Sequence, residues 1–291
     1  MIQLLSESDT LNIIFLLIVV VTLTLQNVFK KSYSQRRKDI FVFNTVYGIA
    51  AALLFLVFSK GEFNFCAEII PYVLGFSVCF ITCTFTSLMA VKTGSLALSS
   101  LIISYSLTIP TLYGILFLNN PTSLLFYTGI ILLLVSLFLV NYEKGEKKIT
   151  KRWLVYVAFS FVSNGLCSTI QNTQQIKFNG AYKSEFMLTV YILVAVVMGI
   201  AAMFTEKQEV KTALNKYTVL ALACGIANGL TSLFVMMLST RMPTSVMFPI
   251  ISAGSILATA LISNSVYKER FSKQQLIGIL LGTASIVCLS V

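Results

Sequence analysis

Long apolar stretches, cut by charged or turn residues, dominate the chain. Ten can be drawn: Leu11–Phe29, Ile40–Ser59, Ile69–Val91, Gly94–Leu118, Pro121–Tyr142, Trp153–Ile176, Phe186–Thr205, Tyr217–Thr240, Met242–Val266 and Gln274–Val291. Each is continuous rather than alternating, which predicts helices and excludes membrane β-strands. At about 1.5 Å per residue each could cross ~30 Å of hydrocarbon. The separators at Lys92–Thr93, Asn119–Asn120 and Arg241 are short, so their flanking helices are expected as antiparallel hairpins. None of the stretches contains Asp, Glu, Lys or Arg. A membrane-embedded ionisable group is costly and commonly functional, so the pattern offers no proton-carrying carboxylate.

The composition agrees: 57% of residues are hydrophobic and 11% charged, against about a quarter charged in soluble domains. A soluble enzyme, a disordered chain and a large extramembrane domain are excluded. There is no His, so a His-ligated metal or a His base is impossible. The six cysteines include no CxxC pair and read as small packing residues. No enzyme activity, metal or cofactor is expected. Residues 1–10 lack Lys and Arg, and the first apolar run is followed by Lys30 and Lys31. A cleavable signal carries its positive charge in front, so the first run is expected to stay as a helix.

The net charge of +10 reads as orientation in a membrane, with no nucleic-acid partner. Of the 21 Lys and Arg, only Lys60, Lys177, Lys183 and Arg241 follow even-numbered runs. The other 17 gather on the opposite side. Positive charge stays cytoplasmic, so both termini are expected outside, in a prokaryotic cytoplasmic membrane. Trp153, following Lys151 and Arg152, reads as an interfacial anchor.

The runs also repeat. Thr24-Leu25-Gln26-Asn27 recurs as Thr169-Ile170-Gln171-Asn172 at an offset of 145. Thr45-Val46-Tyr47 recurs as Thr189-Val190-Tyr191 at 144, and Ser106, Ser123, Gly129 and Ser136 match Ser255, Ser272, Gly278 and Ser285 at 149. Together these predict an all-α membrane protein of ten helices in two halves, residues 1–146 and 147–291. An odd number of helices per half makes the halves inverted five-helix repeats, an architecture of many secondary transporters.

The last hairpin adds a motif. Lys268-Glu269-Arg270-Phe271-Ser272, then Gln275, Gly278 and Gly282, with a degenerate first-half copy in Asn120, Ser123 and Gly129, resembles the EamA-like type of the drug/metabolite transporter superfamily. The resemblance implies export or exchange of small metabolites or drugs by alternating access, from a cavity surrounded by helices one to four and six to nine.

Candidate site residues follow from depth. Run midpoints fall at Tyr105-Ser106, Asn164-Gly165, Asn228-Gly229 and Gly254-Ser255. Polar groups there need partners, because lipid offers none. Asn164, Asn228, Tyr105, Ser106 and Ser255 are therefore the expected substrate contacts. Gln26, Asn27, Gln171 and Asn172, nearer the run ends, are expected gates, with Tyr47 and Tyr191. Pro110 and Pro249 are expected to kink the corresponding fourth and ninth helices. The expected function is a secondary transporter for a small neutral, zwitterionic or weakly cationic solute, a monomer or weak dimer surrounded by lipid. The alternative is a lipid or lipid-linked substrate translocator, or a channel-like facilitator.

Overall fold

The computed structural model describes residues 7–34, 36–37, 39–64, 66–93, 103, 105–120, 123–141, 150–211, 215–267 and 272–290. These residues hold eleven α-helices and one 3-10 turn at Ala67–Ile69. The helices are α1 (Glu7–Ser34), α2 (Ile40–Phe58), α3 (Ile70–Thr93), α4 (Thr108–Phe117), α5 (Leu124–Asn141) and α6 (Lys151–Lys177). They continue as α7 (Lys183–Thr205), α8 (Lys207–Lys211), α9 (Thr218–Ser239), α10 (Thr244–Tyr267) and α11 (Lys273–Ser290).

Among the described residues six stretches are long and apolar enough to cross a membrane: Asp9–Lys30, Ile40–Phe58, Ala67–Ala90, Lys151–Lys177, Lys183–Thr205 and Thr218–Ser239. The expectation of ten transmembrane helices in two inverted five-helix repeats is corrected accordingly. A continuous apolar run is not always one long apolar helix. In Gly94–Leu118 the chain turns at Ser106–Leu107 before the ten-residue helix α4, and residues 94–102 and 104 lie outside the described residues. Pro110 lies in its first turn, where its missing N–H costs little, and residues 103 and 105 on the other side of the Ser106–Leu107 turn are also helical. In the next run and in the ninth, helices α5 and α10 have 18 and 24 residues, of which the apolar stretches Leu124–Ser136 and Thr244–Ala258 are described to the side chain. Helix α11 opens on polar Lys273, Gln274 and Gln275, which shortens its apolar part.

Helices early in the chain pack on helices late in it. α1 lies on α9 and α10, α2 on α7 and α9, α3 on α6 and α7, α4 on α6 and α10, and α5 along α11. Phe43, Tyr47, Phe55, Phe76, Phe186 and Tyr191 fill the core between α2, α3, α7 and α9. Two glycines permit the closest approaches. A Cβ on Gly225 would sit 2.3 Å from the Tyr47 carbonyl oxygen, so α9 meets the α2 backbone directly. A Cβ on Gly165 would sit 2.8 Å from the Ser106 carbonyl. That carbonyl lost its helical N–H donor to Pro110 and accepts instead from Ile109 at 3.0 Å.

The outer surface is apolar: Val57 is 75% and Phe204 77% exposed, with many large aliphatic neighbours. Water would not tolerate so continuous a surface, and lipid would. Trp153 does not stand on that surface as an anchor. It is buried with Val157 and Ala90, and its backbone N–H donates to the capping Thr150 hydroxyl at 3.2 Å.

Candidate functional site

The expected site residues fall into two polar clusters inside the bundle and several outliers. The first cluster joins α3, α6 and the turn before α4. The Asn164 side-chain amide donates to the Ser106 hydroxyl at 2.6 Å. Its oxygen accepts from the Cys83 thiol at 3.7 Å. Ser106 is fully buried and Asn164 half-buried. Gly165 makes this pairing geometrically accessible, because it lets α6 touch the Ser106 backbone.

The second cluster is a ladder across four helices. Gln171 on α6 donates to the Ser232 carbonyl on α9 at 3.0 Å. The Tyr191 hydroxyl on α7 donates to the Asn228 amide oxygen. With that proton committed, the Ser232 hydroxyl, 3.0 Å away, is the donor to Tyr191. The Asn228 amide donates to the Gln26 oxygen on α1 at 2.9 Å. Gln26 donates in turn to Thr231 at 2.8 Å, and Thr22 lies 2.7 Å from that same hydroxyl. Every rung is uncharged, and each joins different helices. The residues expected as substrate contact (Asn228) and as gates (Gln26, Gln171, Tyr191) thus share one network.

Other expected residues lie apart. Asn27 is exposed while Gln26 is buried. Neighbours on a helix point about 100° apart, so α1 can turn only one of them inward. Asn172, next to Gln171 near the C-terminal end of α6, is buried and donates to the Thr244 hydroxyl at 2.8 Å. Tyr105 turns to α5 and donates to the Leu134 carbonyl at 3.0 Å. The Ser255 hydroxyl donates within its own helix, to the Ser252 carbonyl at 2.9 Å. Tyr47 is buried among rings, 6.1 Å from the Phe80 centroid. Pro249 lies inside α10 and leaves the Ser245 carbonyl without its helical donor.

Sequence reading missed the charged cluster at the end where α1 finishes and α2 begins. The Asp39 side chain is fully buried. It accepts from the Tyr33 hydroxyl at 2.7 Å and from Arg37 at 2.8 Å. Burial, aided by Asp39, pushes the Tyr33 phenol above its usual range, and the Asp39 bond raises Arg37 further. Both therefore stay protonated donors. Arg37 also pairs with Glu209 on α8. The available signal was weak: an Asp directly before an apolar run, which reads as an ordinary loop or cap residue.

Apolar lipid-facing helices around uncharged polar clusters define a multi-span helical membrane protein. A solved structure described only as "Crystal structure of protein" shares this fold with a TM-score of 0.79, over 96% of this chain and 96% of that one, at 9% identity. No family model and no curated protein matches the chain. The resemblance to EamA-like drug/metabolite transporters is corrected on these grounds. No family comparison supports it, and the six candidate spans depart from its ten-helix architecture. Of its motif, residues 268–271 lie outside the described residues.

Proposed function

We propose that the protein is a secondary transporter that moves a small neutral, zwitterionic or weakly cationic solute across the cytoplasmic membrane by alternating access. The supporting observation is the uncharged ladder from Gln171 through Tyr191, Asn228 and Gln26 to Thr231. Such amide and hydroxyl bonds can be exchanged for bonds to a polar solute, each worth about 1 kcal/mol net. A strongly anionic solute would call for buried Lys or Arg, and neither cluster contains one. Asn164 with Ser106, and Asn228 with its ladder partners, are the proposed solute contacts.

The test begins with a thermal-shift screen of neutral, zwitterionic and cationic metabolites on purified protein, followed by counterflow of the hits in proteoliposomes. Asn164→Ala and Asn228→Ala should each weaken binding roughly fivefold, the equivalent of ~1 kcal/mol, while the protein stays monodisperse. If affinity holds and only the melting temperature falls, these residues knit helices and do not bind solute. Uptake should follow the solute gradient. With no acid in either cluster, transport is proposed to be uncoupled exchange or uniport, and accumulation driven by an imposed pH gradient alone would contradict it.

A further inference from the structure

Glu206 occupies the one-residue break between α7 and α8. Its carboxylate faces the start of α2. It accepts from the backbone N–H groups of Ile40 at 2.7 Å, Phe41 at 3.0 Å and Val42 at 2.9 Å. These are the first-turn donors of α2, which have no partner within their own helix. Asp39 stands at the N-cap position, but its side chain makes no cap, being held by Tyr33 and Arg37. The cap comes instead from a residue 166 positions away. Glu209, on the same short segment, holds Arg37. The α7–α8 segment therefore grips both the start of α2 and the linker that precedes it.

This grip borders a narrow space between α1, α2 and α3. Lys30, Arg37, Asp39, Asn44, Thr84 and Ser87 are among its lining residues, and its volume is about 40 Å³. Such a space admits water but no metabolite. Arg37 and Asp39 belong to both the lining and the grip, so the space cannot widen toward α2 while the grip is closed.

We propose that Glu206 and Glu209 form a latch that closes this end of the solute pathway, and that the mouth opens when Glu206 leaves the first turn of α2. The inference rests on the transport reading above. The latch predicts one event with two signatures. The amides of Ile40, Phe41 and Val42 lose their acceptor, and Ser87, half-buried at the narrow space, becomes more reachable from water.

Both signatures can be followed in the full-length purified protein. Ser87→Cys is modified with a charged, membrane-impermeant thiol reagent and read by peptide mass, so that native cysteines are counted separately. Hydrogen exchange is measured at residues 40–42. In the otherwise wild-type chain, exchange and modification should report the same opening rate. Glu206→Ala should raise both at least tenfold. Glu206→Gln, which keeps one acceptor oxygen, should give an intermediate rise. Glu209→Gln should accelerate modification with a smaller effect on exchange. Modification of Ser87→Cys while the three amides stay protected overturns the latch, and this needs no variant at position 206 to fold. Unchanged rates in a monodisperse Glu206→Ala protein overturn it equally. Solute movement with unlinked signatures removes the latch and leaves the transporter. Linked signatures in a protein that carries no screened solute across vesicles remove the transport reading and leave a mobile latch.

Discussion

The two ends of the bundle each supply a helix start with a cap from a distant part of the chain, and they do it with different chemistry. Where α2 begins, the cap is the Glu206 carboxylate, backed by Arg37, Asp39 and Glu209. Where α10 begins, the cap is neutral. Asn120, with its amide oxygen turned to the helix, accepts from the N–H groups of Thr244 and Ser245, each at 3.1 Å. Gly114 makes room, since a Cβ there would lie 2.5 Å from that amide. Beside the neutral cap, the buried Asn172 Oδ1, Gln175 Oε1 and Ser245 Oγ have no partner among the described residues. A pocket of about 370 Å³, lined by Asn120, Arg241 and Thr244 among others, opens there. One end is bound by ions around a space too small for a metabolite. The other is held by amides beside a space large enough for one. The difference leaves little space at the charged end and an open pocket at the amide-capped one.

Substitutions sort the two ends by cost. Arg37→Gln should be the most damaging, at about 3 kcal/mol of stability, because it strands the buried Asp39 carboxylate. Thermal unfolding in detergent measures it, and a loss below ~1 kcal/mol would show that Tyr33 alone can satisfy Asp39. Glu206→Ala should follow at about 2 kcal/mol, the upper part of the range for a lost cap. Its neutral counterpart, Asn120→Ala, should cost about 1 kcal/mol. Equal losses for these two would erase the contrast between the caps. Rising salt should lower the cost of Arg37→Gln and leave this gap nearly unchanged, since the partly exposed Arg37–Glu209 contact is the one open to screening. The smallest effect belongs to Asn172→Leu, expected within ~1 kcal/mol. It removes one bond to Thr244 but also one unpaired acceptor, and these changes oppose each other.

Hydrophobic runs located the long helices closely. Ile40–Ser59 became Ile40–Phe58, and Tyr217–Thr240 became Thr218–Ser239. They erred where side-chain polarity misstates backbone continuity. α1 continues past Phe29 through Lys30 and Lys31 to Ser34, because lysine is a good helix former. The fourth run contains Pro110, and its described helix is short. Depth along a run found Asn164, Ser106 and Asn228, which do meet polar partners inside the bundle. Depth cannot fix rotation, so Asn27 points out and Tyr105 turns to α5. The charged latch was least legible. Glu206 resembles any loop acid until the fold brings residue 206 to residue 40.

That separation has a consequence for biosynthesis. Chains grow at about 5–20 residues per second. The 166 residues between Ile40 and Glu206 therefore take roughly ten to thirty seconds to make. For that interval α2 exists without its carboxylate, and its first-turn amides must be served by water or lipid headgroups. Asp39, fully buried in the finished protein, can stand in as a local cap until Arg37 and Tyr33 draw it away. Final seating of α2 thus awaits the second half of the chain, and a ribosome halted before Glu206 would leave a nascent bundle whose second helix is not yet fastened.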